Sequence, residues 1–82
     1  MRVRKSIHTP QHKRLLTLLR QIRTDAGLTQ ADLASRIHKD QTFVSKYESG
    51  ERRLDVLELR EICAVVGVTL PEFAHRLEKI IK

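Results

Sequence analysis

Apolar residues recur at helical spacing in five segments of the chain, and each segment lies between signals that start and stop helices. Thr9 followed by Pro10 is typical of a helix start, and Gly27 is typical of a helix end. Three further starts carry residue pairs typical of capping boxes: Thr29 with Asp32, Asp55 with Glu58, and Thr69 with Glu72. No segment alternates as a strand does. The pattern therefore predicts an all-α bundle of five helices over residues 9–82.

The third segment, "DQTFVSKYESG" at residues 40–50, has an unusual polar face. Asp40 is predicted to cap this helix, and Gly50 to end it. At about 100° per residue, Val44 and Tyr47 share the apolar side. The outward side carries short hydrogen-bonding residues and one lysine: Thr42, Ser45, Lys46 and Ser49. Solvated helices usually carry Glu, Lys and Arg in such places, so this face is predicted to meet a partner.

The second and third helices are predicted to pack at a steep angle. Only the residues "HKD" separate two short amphipathic segments. Apolar residues on both would meet across the turn: Leu33, Ala34 and Ile37 against Val44 and Tyr47. This is helix-turn-helix geometry, over about residues 29–48, and it projects the outward face of the third helix away from the body.

The chemistry of that outward face suits base edges in a DNA major groove, which is wide enough for one helix. Gln41 can bond an adenine edge through both amide atoms, Lys46 can donate to guanine, and the Thr42 methyl can touch a thymine methyl. Ser45 lies on the same face. For Phe43 two interpretations remain, contact with a thymine methyl or sugar, and packing against its own helix.

Two further positions are predicted from helix geometry. Gln30 lies in the first turn of the second helix, where free N–H groups and the helix dipole favour an anion such as phosphate. The alternative for Gln30 is a solvated position at a helix start. Arg23 and Glu48 both lie near the apolar stripes of their helices, and because a buried lone charge is costly, they are predicted to form a bonded pair.

The charge distribution favours a polyanionic partner. The formal charge is +6, and residues 1–53 hold twelve Lys or Arg against five Asp or Glu. Residues 54–82 hold four against five. A basic front half is typical of contact with a polyanion, although a positive charge that serves only solubility remains the alternative.

Composition also limits the possible classes of protein. The single cysteine, Cys63, excludes an internal disulfide and indicates a reducing compartment. No stretch approaches the apolar length of a membrane span, and "MRVRKSIH" lacks the apolar region of a secretory signal, so a cytoplasmic protein is predicted. His8 and His12 have metal-like spacing, but Pro10 between them fixes a helix start and prevents a shared face. No catalytic, cofactor or metal site is predicted.

The stretch "LTQADLASRIHKDQTFVSKYESGERRLD" resembles the phage repressor and Cro-like helix-turn-helix family, also called the XRE family. The resemblance extends over about residues 12–80 and implies a five-helix, lambda-repressor-like fold. It implies transcriptional regulation by sequence-specific binding of double-stranded DNA, usually repression by a homodimer on an inverted repeat. His38 and Lys39 depart from the family pattern, which has glycine and an apolar residue in the turn.

Residue roles follow from the resemblance position by position. Gln41, Thr42 and Lys46 look like base-reading residues, and Gln30 looks like a phosphate contact. Further phosphate contacts are implied for the loop after the third helix, at Ser49, Arg52 and Arg53. Arg23 and Glu48 match the inward salt bridge of the family.

Three expectations concern partners. The homodimer surface is predicted on the less basic fourth and fifth helices, through Leu70, Leu77 or Ile81. The basic arm at residues 1–8, with Arg4 and Lys5, either reaches DNA phosphate or is flexible. A protein-binding interpretation also stays open, because antitoxins of toxin–antitoxin pairs can have this fold and repress their own operon.

Overall fold

The computed structural model describes residues 9–81, which form five α-helices joined by short turns. The helices are α1 (Pro10–Asp25), α2 (Gln30–Arg36), α3 (Gln41–Ser49), α4 (Val56–Val66) and α5 (Leu70–Ile80). The predicted all-α, five-helix fold is confirmed. The predicted basic arm, with Arg4 and Lys5, lies outside the described residues, as does Lys82.

The helix starts follow the local signals with one exception. The Thr9 hydroxyl accepts the His12 N–H at 3.0 Å, and all three predicted capping boxes form. The exception is Asp40, which occupies the N-cap position of α3 but makes no capping bond through its side chain. Its carboxylate instead accepts the hydroxyl of Thr42. That hydroxyl competes with the backbone N–H groups, and it also holds the pKa of Asp40 below its usual value.

The core is aliphatic, with one tyrosine and one phenylalanine. Its most buried large side chains come from every helix: Leu19, Ile22, Leu33, Val44, Tyr47, Ile62, Cys63 and Phe73. The predicted packing of α2 on α3 is present, since Leu33, Ala34 and Ile37 are buried in one cluster with Val44 and Tyr47. Burial raises the pKa of the Cys63 thiol, which keeps it protonated and unreactive. Packing against the core therefore holds the inner face of α3 in place and leaves its outer face exposed to solvent.

The turn between α2 and α3 contains a strained residue. His38 has φ of 60°, and it is the one non-glycine residue with positive φ among residues 9–81. The left-handed region is costly for residues that carry a Cβ atom. The turn therefore keeps the backbone shape that suits glycine although its sequence lacks glycine.

Replacing His38 by glycine is expected to stabilise the fold by about 0.5–1 kcal/mol, because glycine adopts a positive φ without strain. This gain exceeds the extra conformational entropy that the glycine variant loses on folding. The measurement is thermal and urea unfolding of both proteins. His75 is exposed within α5 and serves as the matched control, since His75→Gly should destabilise the helix. A lower melting temperature for the His38→Gly variant would show that the imidazole stabilises the turn.

Candidate nucleic-acid interface

The outer face of α3 is open to solvent. Gln41, Thr42, Ser45, Lys46 and Ser49 are exposed in the structure. The residues between them that face inward are buried, with Val44 and Tyr47 at 0% exposure. The predicted division of α3 into a core face and a free polar face is therefore present, and the free face is that of the second helix in a helix-turn-helix pair.

A buried ion pair fixes the angle of α3 against α1. Arg23 donates from Nε to Glu48 Oε2 at 2.7 Å and from Nη2 to Glu48 Oε1 at 3.0 Å. The side chains are 11% and 1% exposed, respectively. The remaining Nη1 of Arg23 donates to the Leu28 carbonyl at 2.9 Å, just before α2. The predicted Arg23–Glu48 pair is thus formed, and it joins three elements of the fold. The hydrogen bond to Glu48 also raises the pKa of Arg23.

The same carboxylate starts a chain of amides that reaches the surface. Gln30 donates from Nε2 to Glu48 Oε1 at 3.0 Å, which turns its own carbonyl oxygen outward. That oxygen accepts a longer bond of 3.4 Å from Nε2 of Gln41. Because Glu48 can only accept hydrogen bonds, it sets the orientation of Gln30, and Gln30 in turn favours one orientation of the Gln41 amide. Gln41 then presents a free carbonyl oxygen and one remaining N–H, the pair that an adenine edge requires.

Three predicted contact residues already make hydrogen bonds within the protein. The Thr42 hydroxyl donates to Asp40, which leaves its oxygen lone pairs and its methyl group for a base. The Ser49 hydroxyl donates to the carbonyl of Lys46 at 3.0 Å and lies 3.3 Å from a carboxylate oxygen of Glu51. Gln30 has also given one of its two N–H groups to Glu48. The Gln30–Glu48 bond could not be predicted from local sequence, because the fold decides the relative placement of the two side chains, while the bonds of Thr42 and Ser49 are local choices among several possible partners.

Phe43 is half-buried and packs locally. Its ring meets that of Tyr47 edge to face, with centroids 5.7 Å apart. The cations of Lys39 and Arg52 lie 5.3 and 4.6 Å from its centroid. The structure thus favours the interpretation of Phe43 as a locally packed residue, and its ring contacts two cations as well as Tyr47.

Arg52 is bonded within the protein, which the sequence interpretation of the "ERR" loop missed. Its guanidinium pairs with both carboxylate oxygens of Glu58, at 3.0 and 2.9 Å. This bond raises the pKa of Arg52 and is the largest cause of the lowered pKa of Glu58. The sequence explained Glu58 only by the capping box of α4, and it does accept the Asp55 N–H at 3.0 Å. Arg53, the other predicted phosphate contact of the loop, is exposed.

The arrangement as a whole offers directed hydrogen bonds and positive charge on a rigid surface. Exposed cations flank the outer face of α3, with Lys39 before it and Arg53 after it. Within residues 9–81, no three His, Cys, Asp or Glu side chains form a group that could hold a metal ion. The described helices are also too short or too polar to cross a membrane. The outer face of α3 thus combines directed donors and acceptors with flanking cations, a combination chemically suited to an anionic polymer such as duplex DNA.

Comparisons with known proteins also identify a helix-turn-helix domain. Residues 19–73 match the helix-turn-helix family HTH_3. A curated relative, "Control protein C.MunI" from Mycoplasma sp, is 38% identical over 64 residues, which are 78% of this chain and 84% of that protein. A solved structure, described as an XRE-family like protein from Pseudomonas syringae pv. tomato, superposes with a TM-score of 0.82. It is 41% identical in sequence, and the match covers 95% of both chains.

Proposed function

Because this chain belongs to the XRE-type helix-turn-helix family of DNA-binding transcriptional regulators, we propose that it represses transcription by binding an inverted-repeat operator as a homodimer in the cytoplasm. The observation that carries the proposal is the exposed face of α3, on which a buried carboxylate orients the Gln41 amide. A surface that only kept the protein soluble would need no such internal support. The relative named as a control protein supports regulation.

Base reading is assigned to the outer face of α3. Gln41 bonds adenine through both amide atoms, and Lys46 donates to a guanine edge. Thr42 contributes its methyl group, since its hydroxyl is held by Asp40. Ser45 lies on the same exposed side and can accept or donate. Phe43 makes no base contact in this proposal, because its ring is packed on Tyr47 and covered by cations.

Backbone phosphates are assigned to the two ends of the motif. Gln30 retains one N–H for a phosphate beside the start of α2, and Arg52, Arg53 and Ser49 lie in or next to the loop that follows α3. Such contacts fix the position of the protein on the duplex, while base contacts discriminate between DNA sequences. If two protomers neutralise about eight phosphates, log K should fall with log salt at a slope of about −7.

The dimer is assigned to the surface formed by α4 and α5. The residues first expected there, Leu70, Leu77 and Ile81, are half-buried, and the first two pack on the core. Val56 and Leu57, in the first turn of α4, are 62% and 70% exposed. This turn directly follows the loop after α3. A twofold axis at the turn would therefore place the α3 helices of the two protomers on either side of the axis. The spacing that one turn of DNA requires is about 34 Å.

Selection of bound sites from random duplex DNA tests the proposal. The expected product is an inverted repeat whose half-site centres lie about 10 base pairs apart, because a twofold dimer reads one face of the duplex. Light scattering of the complex should give two chains per site. Leu57→Asp should weaken dimerisation and operator binding together, because Leu57 is 70% exposed on the proposed dimer surface. Failure to enrich any sequence would contradict sequence-specific binding.

A further inference from the structure

The side chain of Arg52 is held on two sides while part of it remains in solvent. Nη1 donates to the Arg53 carbonyl at 2.8 Å and to Glu58 Oε1 at 3.0 Å, and Nη2 donates to Glu58 Oε2 at 2.9 Å. The Phe43 ring centroid lies 4.6 Å from its Cζ atom. The side chain is nevertheless 40% exposed. An exposed arginine normally samples many rotamers, so these contacts fix a group that would otherwise be mobile.

The bonds to Glu58 and Arg53 leave one edge of the guanidinium unused. The planar group has five N–H donors. Three are donated to the partners above, which leaves Nε–H and one N–H of Nη2 without a partner among the described residues. These two donors lie on the same edge and point in nearly the same direction. A parallel pair of N–H groups matches two oxygens of a phosphate, so the unused edge has the geometry for a bidentate contact.

The surroundings of Arg52 favour an anion. A shallow recess beside the outer face of α3 is lined by Arg52 together with His38, Lys39 and Lys46. One carboxylate, that of Asp40, also borders the recess, and it is engaged by the Thr42 hydroxyl. The recess adjoins Thr42 and Lys46, which face the proposed groove. The backbone of a duplex that receives α3 in its groove would pass close to this cluster of cations.

We propose that Glu58 is a positioning residue for DNA, which aims the free edge of Arg52 at a backbone phosphate in the recess beside α3. Phe43 supports the same guanidinium from its face. This inference rests on the proposed function and adds to it an acidic residue that strengthens the binding of a polyanion. The opposite interpretation is that Glu58 neutralises Arg52 and repels DNA. The two interpretations predict opposite signs for the effect of removing the Glu58 charge.

Glu58→Gln tests whether removal of the Glu58 charge weakens or strengthens DNA binding. The amide keeps an oxygen for the Asp55 N–H but removes the charge-assisted pair with Arg52. If Glu58 positions Arg52, the variant should bind the selected operator about three- to tenfold more weakly at about 0.15 M salt, although it has one negative charge fewer. Arg52→Ala should weaken binding at least as much and reduce the salt slope by about 0.9 for each phosphate that is no longer neutralised. In the Arg52→Ala background, Glu58→Gln should no longer weaken binding.

Glu72→Gln is the matched control, because Glu72 closes the equivalent capping box of α5 and has no arginine bonded to it among the described residues. It should change the melting temperature about as much as Glu58→Gln and leave operator affinity unchanged. Tighter binding by Glu58→Gln would overturn the positioning role, as would affinity reductions from Glu58→Gln and Arg52→Ala that simply multiply. Either result would leave the proposed function intact. A wild-type protein that binds no duplex would overturn the proposed function and this inference with it.

Discussion

Replacing Arg23 by methionine is expected to destabilise the fold by about 3 kcal/mol or more, because it leaves the carboxylate of Glu48 buried without its principal partner. That carboxylate is 1% exposed and receives two bonds from Arg23, at 2.7 and 3.0 Å. For a domain of this size, such a change corresponds to a fall in melting temperature of roughly 12–24 °C. The bond from Arg23 to the Leu28 carbonyl is removed as well. Thermal unfolding followed by circular dichroism measures the change.

Arg20→Met provides the matched control. This substitution removes the same charge from the same helix, and Arg20 Nε lies 3.8 Å from Glu48 Oε1, but the Arg20 side chain is 62% exposed. Exposed ion pairs contribute about 0–1 kcal/mol, so this variant should melt within a few degrees of the wild-type protein. Equal melting temperatures for Arg23→Met and Arg20→Met would contradict the prediction, because the buried pair would then contribute no more to stability than the exposed one.

The parts of the fold that local sequence decides were predicted correctly. Capping boxes depend on residues three apart, and helix ends depend on single glycines, so the starts at Thr29, Asp55 and Thr69 and the end at Gly50 could be assigned without tertiary information. The Arg23–Glu48 pair spans two helices, but it follows from periodicity, because an ionic group on an apolar stripe must find a partner inside. Local rules and the burial pattern are therefore enough for the scaffold.

The parts that sequence could not predict involve a choice between partners. Asp40 had backbone N–H groups and the Thr42 hydroxyl within reach, and it bonds the hydroxyl. Glu58 was explained by its capping box, so its second role with Arg52 left no signal of its own. Gln30 was expected to donate outward, but the partly unsatisfied carboxylate of Glu48 draws its amide inward. The Glu58 and Gln30 outcomes depend on how α2, α3 and the loop after α3 are placed relative to one another, which short-range patterns do not contain, whereas the Asp40 outcome is a local choice between two donors.

These inward bonds change how the candidate interface should be understood. The buried Glu48 carboxylate is the common acceptor for Arg23 and Gln30, so the residue that secures α3 to α1 also sets the orientation of the amide at its surface. The family relationship indicates DNA binding, and the function proposed above assigns that binding to this surface. Rigid, pre-oriented donors and acceptors give up little freedom when they meet a base edge, which favours discrimination between bases over general attraction.

Substituting Gln41 and Lys46 together by alanine is expected to weaken operator binding at least about 100-fold, because each of the two base contacts contributes about 1–3 kcal/mol of discrimination and occurs in both protomers. Binding to unrelated duplex DNA should fall much less, since it depends on phosphate contacts that remain. The measurement is fluorescence anisotropy with the selected operator and with a scrambled duplex, at several salt concentrations. The ratio of the two affinities should approach one.

Lys79→Ala separates the effect of removing base contacts from the effect of removing charge. Lys79 is exposed near the end of α5, outside both the helix-turn-helix pair and the first turn of α4 on which the proposed dimer contact rests, and its replacement removes one positive charge just as Lys46→Ala does. The control should lower affinity for both duplexes slightly and leave their ratio unchanged, since distant exposed charges are screened. Gln41→Ala alone should relax the preference at one symmetric pair of positions in a repeated selection, and Lys46→Ala at another. If the double variant kept the affinity ratio of the wild-type protein, the outer face of α3 would not be the base-reading surface, whatever the remaining affinity for DNA.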